Sequence, residues 1–303
     1  MERQGSVPKE LAGTFRALAP VSDLQHLVQI IQLEITMSNL ADYADKYENI
    51  RFERRDGVLL LRLHTNDGPF VFCDGAHHDL SFAFYDLAAD PQNKVVLLTG
   101  TGDRFCADFD YGSFHSNVTD YHEWALRIRA DGRRLLAAFL DIEVPIIAAV
   151  NGPALSHSEL PVLADVVLAD ETAIFQDATH FLKGAAPGDG MHTVWTTLLG
   201  LNRGRYFLLT GERMDARRAH ELGVVGEVLP KHQLMQRAWE LALKWAALPR
   251  TTLVATRQAL NYEWKRLILE QLHSGLTEEM SGIVAGMRPS GANLGVGDLL
   301  SGG

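Results

Sequence analysis

The run Ile146-Ile147-Ala148-Ala149-Val150, followed by Asn151-Gly152-Pro153-Ala154-Leu155-Ser156-His157-Ser158-Glu159-Leu160, decides the fold class. An unbroken apolar run between Pro145 and an Asn-Gly-Pro turn reads as a strand buried on both faces, the kind found in sheets built by crossover connections. It empties into a polar turn carrying a histidine. Loops at the ends of such strands are where active sites form.

The same grammar continues outward. Val95-Val96-Leu97-Leu98, closed by Thr99-Gly100-Thr101-Gly102, and Val166 to Ala169 are further buried-strand candidates. Between them, residues from about Tyr121 to Leu140 place Trp124, Ile128, Leu135, Leu136 and Phe139 on one helical side. Strand, helix and strand at this spacing imply a largely parallel sheet. Upstream, Ile50 and Phe52 alternate with charged residues, Asp56-Gly57 signals a turn, and Val58 to Leu63 returns as a second strand. Helices are expected from near Gly190, around 215–222, around 231–247, and through the last stretch to about Met287. Leu24, Leu27, Ile30, Ile31, Leu33, Ile35 and Met37 form a stripe that predicts an additional N-terminal helix, whereas the Gly- and Ser-rich segment 289–303 is expected to be disordered.

Composition narrows the function classes. With 47% hydrophobic and 22% charged residues over 303 positions, the chain can fill a core without a metal or disulfide staple. A net charge of -10 argues against nucleic acid or an anionic membrane as the main partner. Cys73 and Cys106 are too few for a disulfide framework and suit a reducing compartment. The most apolar stretch, Val144 to Val150, is far short of the roughly 18 residues a spanning helix needs, so a cytoplasmic location is expected. Thr99-Gly100-Thr101-Gly102-Asp103-Arg104 lacks the third glycine and the Gly-Lys-Ser/Thr of the phosphate-binding fingerprints. No Gly-x-Ser-x-Gly elbow is present. His77-His78-Asp79 has no supporting metal-ligand spacing and reads as a surface helix turn.

Two places retain chemistry. His157 and Glu159 follow the buried strand; taken separately they are a loop histidine and a helix N-terminal acid. His180 and Asp189 form the second candidate. Asp189 either caps the helix starting near Gly190 or orients an imidazole and stabilises its cation, and one carboxylate can do both.

From about Tyr47 to Met287 the sequence resembles the crotonase (enoyl-CoA hydratase/isomerase) superfamily. The resemblance rests on Lys94 to Gly100 with Phe105-Cys106-Ala107, on Pro145 to Pro153 with Glu159-Leu160 and Asp165, on Pro187-Gly188-Asp189-Gly190, and on Leu208-Leu209-Thr210-Gly211-Glu212 with Ala219 and Gly223-Val224-Val225. It implies an α/β spiral of strand-strand-helix units with a helical C-terminal region that packs in trimers, often paired as hexamers. The expected division is an N-terminal extension over 1–45 with one helix, a core over 46–245, a C-terminal helical region over 246–288 and the tail.

The departures from the family pattern are informative. Ser156-His157-Ser158 stands, one residue short, where the family has a glycine run contributing to an oxyanion hole. His180 stands where a catalytic glutamate is common. Ala107-Asp108-Phe109-Asp110 replaces Ala-Gly-x-Asp. These features resemble the branch of 6-oxocamphor hydrolase and related alicyclic β-diketone hydrolases, which cleave a carbon–carbon bond by a retro-Claisen reaction without coenzyme A. Supporting matches include Lys46 to Arg51, Phe175-Gln176-Asp177, Asn202 to Gly211 and Arg237 to Ala242.

Carried over residue by residue, this resemblance implies His157, His180, Asp189 and Glu279 as the catalytic set, with Glu278 as a neighbouring alternative for the last. Phe72 (tryptophan in the branch) and Phe114 are implied as pocket walls, with Trp195 as a further apolar wall. His180, polarised by Asp189, would deprotonate water, His157 would hold a substrate carbonyl, and Glu279 would tune a histidine, His157 being the expected one. No metal or cofactor is expected. The partners expected are a small alicyclic diketone and further copies of the chain in a trimer or dimer of trimers, with no nucleic acid or membrane. A coenzyme A-dependent hydratase, isomerase or thioester hydrolase, kept open by Glu159, is the first alternative. A non-catalytic scaffold binding a partner through the helix at 21–38 is the second.

Overall fold

The computed structural model describes residues 38–286 apart from residue 117, so the helix expected at 21–38 and the tail lie outside the described residues or at their margin. After a short helix α1 (Leu40–Tyr43), the expected hairpin is present as β1 (Ile50–Arg55) and β2 (Val58–Leu63), paired antiparallel with Arg55 opposite Val58. Asp56 and Gly57 both have positive φ, 52° and 81°, as a two-residue hairpin turn of the twist-matching type requires.

The chain then alternates strands and helices: β3 (Val71–Phe72), α2 (Asp74–Ala88), β4 (Val95–Thr99), β5 (Asp108–Phe109), α3 (Tyr111–His115), α4 (Tyr121–Asp141), β6 (Ile146–Val150), α5 (Glu159–Val162), β7 (Val166–Asp170) and β8 (Ile174–Phe175). A 3-10 turn (Phe181–Lys183), α6 (Met191–Leu199), α7 (Leu201–Thr210), β9 (Met214–Asp215), α8 (Ala216–Glu221), β10 (Glu227–Leu229), α9 (Lys231–Ala246) and α10 (Arg250–Gly286) complete it. The main sheet runs β1-β2-β4-β6-β7-β10, parallel everywhere except the first hairpin.

Strand periodicity sorts the core into two layers. Leu59, Leu61, Val96, Leu98, Ile146, Ala148 and Val150 face the larger cluster. Their alternates Val58, Leu60, Val95, Leu97, Ile147 and Ala149 pack on Leu234, Ala238, Ala242 and Ala246 of α9. This two-sided burial explains why these strands are uniformly apolar.

A second, thinner ladder runs beside the main sheet. β3 pairs with β5, Cys106 bridges Ala154, Ala154 bridges Phe175, and β8 pairs with β9. Each turn of the chain thus gives one long strand to the main sheet and a short one to this ladder, which is the expected spiral of strand-strand-helix units.

Helix α7 was not anticipated: of its large residues only Phe207 and Leu208 are buried, and Gly204 interrupts its middle, leaving no clear stripe. His77 corrects the reading of a surface turn. It lies within α2, and its side chain is buried. Helix α10 is anchored by buried Arg257, which donates to Asp165 Oδ2 at 2.8 Å, and by Asn261, whose amide donates to the Leu140 carbonyl at 3.0 Å. Among the described residues no helix is long and apolar enough to cross a membrane.

Candidate active site

The short ladder positions the candidate residues. Phe72 and Phe109 sit opposite each other on β3 and β5. His157 follows Ala154 by three residues, and Asp177 and His180 follow β8. The loop entering α6 adds Asp189, and α10 adds Glu279 from the far end of the chain.

His157 has φ 47°, the left-handed region that disfavours a side chain and where the wider family places glycine. The strained backbone turns the imidazole under Phe72, with ring centroids 3.9 Å apart. Its Nδ1 is 2.7 Å from Glu159 Oε1 and 3.4 Å from Asp189 Oδ2. Burial disfavours charge on His157, but Glu159 and then Asp189 outweigh it, so its pKa lies above the ordinary value. Burial pushes the Glu159 carboxyl upward, and the buried carboxyl stays within hydrogen-bond reach of the imidazole.

His180 is held at both nitrogens. Nδ1 is 2.8 Å from Asp177 Oδ1, and Nε2 is 3.4 Å from Asp189 Oδ2 and 3.8 Å from Glu279 Oε1. Burial opposes its charge; Asp189 and then Asp177 raise its pKa well above the ordinary value. Asp189 is also buried, but His180 and His157 outweigh that burial and hold it ionised, below the ordinary carboxylate range. Its Oδ1 accepts from the Met191 amide at 3.4 Å while Oδ2 serves both histidines, so the helix-capping and imidazole-orienting roles coexist.

Glu279 is buried and its neighbour Glu278 is exposed. This places Glu279, not Glu278, at the site. Leu272 and Leu276 share its buried face of α10, and that period is the signal that separates the two glutamates. The close approach of α10 depends on glycine: a Cβ on Gly188 would fall 1.9 Å from the Gly275 carbonyl, and one on Gly275 would fall 2.4 Å from the Gly188 carbonyl. Burial and the negative charge of Asp189 push Glu279 up to about 8, so it is a neutral acid at pH 7. The expected pairing of Glu279 with His157 is corrected: its nearest imidazole is His180, and Glu159 occupies His157.

Phe72, Phe109 and Phe114 are mutually stacked beside His157, with centroids 5.1–6.3 Å apart. Phe109 was missed because a two-residue strand carries no periodicity. Trp195 is fully buried between Phe175 and Phe207, and its indole donates to Ser158 Oγ at 3.1 Å; it supports the His157 loop from behind. Asp177 was also missed, although its place three residues before His180 was a usable cue. His77 packs against Phe72 and Phe114, and burial followed by repulsion from His157 pushes it down to about 3, keeping it neutral. Its Nδ1 has no hydrogen-bond partner among the described residues.

The arrangement gathers two imidazoles, the carboxyl groups of Glu159, Asp177, Asp189 and Glu279, and a stack of phenyl rings. Two groups of its ligand atoms, in His157–Glu159–Asp189 and in His180–Asp189–Glu279, each lie within 4.8 Å of one another and could hold a metal ion.

Comparison with known proteins fits this geometry. A β-diketone hydrolase from Anabaena sp. PCC 7120, solved bound to (S)-3-oxocyclohexyl acetic acid, is 46% identical, with a TM-score of 0.76 over 79% of this chain and 95% of that one. An enoyl-CoA hydratase/isomerase from Mycobacterium paratuberculosis is 27% identical, with a TM-score of 0.71 over 78% and 94% of the two chains. The mitochondrial enoyl-CoA hydratase of Pongo abelii is 27% identical over 74% of this chain and 77% of its own length. The enoyl-CoA hydratase/isomerase family profile matches residues 53–280, most of the chain, and the protein is therefore a crotonase-family enzyme of the enoyl-CoA hydratase/isomerase family.

Proposed function

We propose that the protein hydrolyses a carbon–carbon bond of a cyclic or bicyclic β-diketone to give a keto acid. The observation that carries this reading is the convergence of His157 and His180 on Asp189 beside an aromatic wall. The bulky His157 loop occupies the place of the family's glycines. The hydrolase with 46% identity binds a keto acid, the product type this reaction yields.

In the proposed reaction, neutral His180 Nε2 takes a proton from water as the oxygen adds to one carbonyl. Asp177 and Asp189 stabilise the imidazolium that forms. Collapse of the tetrahedral adduct breaks the bond to the carbon between the two carbonyls. The released electron pair becomes an enolate on the second ketone. His157, with Nδ1 engaged by Glu159, offers its Nε2–H to that oxygen. Neutral Glu279 protonates the enolate carbon, and the proton on His180 restores it. Phe72, Phe109 and Phe114 supply the apolar surface for an alicyclic skeleton. The unpaired Nδ1 of His77 offers a further polar contact at that wall.

Glu159 is the residue that would favour a coenzyme A thioester as substrate. Its 2.7 Å contact with His157 makes it less available for that role. A cytoplasmic location and assembly as a trimer or dimer of trimers belong to the same reading; light scattering tests the assembly. Incubation with bicyclic and monocyclic 1,3-diketones, with product analysis by mass spectrometry, tests the activity. Ring-opened keto acids are expected. Turnover of an enoyl-CoA without any diketone cleavage would overturn the reading.

A further inference from the structure

We propose that His180, Asp189 and Glu279 also form a binding site for a divalent transition cation of the zinc class, and that the bound cation inhibits the enzyme by occupying the place of the attacking water. Binding does not depend on the proposed reaction; inhibition rests on it.

The distances within the triad favour an ion. His180 Nε2 lies 3.4 Å from Asp189 Oδ2 and 3.8 Å from Glu279 Oε1. Both are longer than the roughly 2.7–2.9 Å of a good charge-assisted hydrogen bond. The first is close to the separation of about 3.3–3.5 Å between ligands placed tetrahedrally around an ion with bonds of about 2.0–2.1 Å, and the second exceeds it by a few tenths of an ångström. Oxygen and imidazole nitrogen from three separate segments suit zinc and its neighbours better than magnesium or calcium.

Two further observations select this triad. Asp177 holds His180 Nδ1 at 2.8 Å and so turns Nε2 toward Asp189 and Glu279, the carboxylate–histidine support that metal-ligating histidines commonly have; an entering cation would displace the proton on Nε2. Glu279 is buried, and its Oε2 has no hydrogen-bond partner among the described residues. The alternative group around His157 is less suited, because Glu159 already occupies His157 Nδ1 at 2.7 Å. A cation on His180 Nε2 takes the lone pair that accepts the proton of water, so its effect on hydrolysis is inhibition.

Full-length protein stripped with chelator is titrated with Zn2+ by calorimetry and with Co2+ by visible absorption. One tight equivalent and a low-symmetry Co2+ spectrum are expected. Glu279→Gln and Asp189→Asn should each weaken that equivalent by about 100-fold, and Asp177→Asn, which keeps all three ligands, by about 10-fold. Circular dichroism confirms that each variant is folded; if one is not, the other two carry the test. Diketone hydrolysis should fall in proportion to occupancy and return with chelator. Binding unchanged in both ligand variants, or no tight equivalent in the wild type, overturns the site. Tight binding with unchanged or increased hydrolysis overturns the inhibition. A protein that binds the cation but cleaves no diketone upholds the site and refutes the proposed reaction instead.

Discussion

Replacing Asp177 by asparagine separates orientation of His180 from the charge that stabilises it. Asp177 Oδ1 lies 2.8 Å from His180 Nδ1 and also accepts from the amides of His180 and Thr179 at 3.2 and 3.3 Å. An asparagine carbonyl can keep the amide bonds, so the loop should survive. The carboxylate charge is lost, and with it part of what holds His180 above its ordinary value. In the wild type, His180 is raised well above the ordinary value, so the neutral base accumulates as pH rises and kcat/KM should climb through a limb on the alkaline side of 6.5. In the variant that limb should move toward acid.

The plateau falls at the same time. Removing the orienting aspartate of a serine-protease triad costs about 10^4-fold in kcat. Here Asp189 still faces Nε2 at 3.4 Å, so a smaller loss of about 10^2–10^3-fold, about 3–4 kcal/mol, is expected. Initial rates of diketone loss across the pH range read both effects. A variant with the wild-type limb and plateau would refute the role of Asp177. A lower plateau with an unmoved limb would refute the assignment of the limb to His180.

Three further tests address other parts of the site. His180→Ala should lower kcat by about 100-fold or more in steady-state hydrolysis, and near-wild-type turnover by the folded variant would remove it as the base. His157→Gly and His157→Ala should both lose turnover, but the glycine variant should be about 1 kcal/mol more stable in urea unfolding, because φ 47° strains alanine. Equal stabilities would contradict the strain. Gly275→Ala places a methyl group 2.4 Å from the Gly188 carbonyl; stability should fall by about 1–3 kcal/mol and kcat should fall as Glu279 is displaced, measured by melting and steady-state kinetics.

The main sheet was legible because its strands are buried on both faces and therefore written in unbroken apolar runs, as at Ile146–Val150. The second ladder was not, because Val71–Phe72, Asp108–Phe109 and the single bridge at Ala154 are too short to have a period. Phe109 was hidden with it. His157 and His180 were visible as residues out of place against the family pattern, and Asp189 within the matching Pro-Gly-Asp-Gly turn, but not their division of partners. That division depends on α10 arriving from about 90 residues further along the chain than Asp189, a long-range contact no local spacing encodes.

The ladder that links β3, β5, Ala154 and β8 separates two kinds of inheritance. Its first rungs carry the aromatic surface that a ring skeleton would meet; its later rungs lead to the histidines that would move protons. Phe109 and Phe114 sit in a different stretch of chain from the histidines at 157 and 180, whereas Phe72, stacked 3.9 Å from the His157 ring, couples the two. Under the proposed function, changes at Phe109 or Phe114 would alter the surface a substrate meets, while a change at Phe72 would alter the setting of His157 as well.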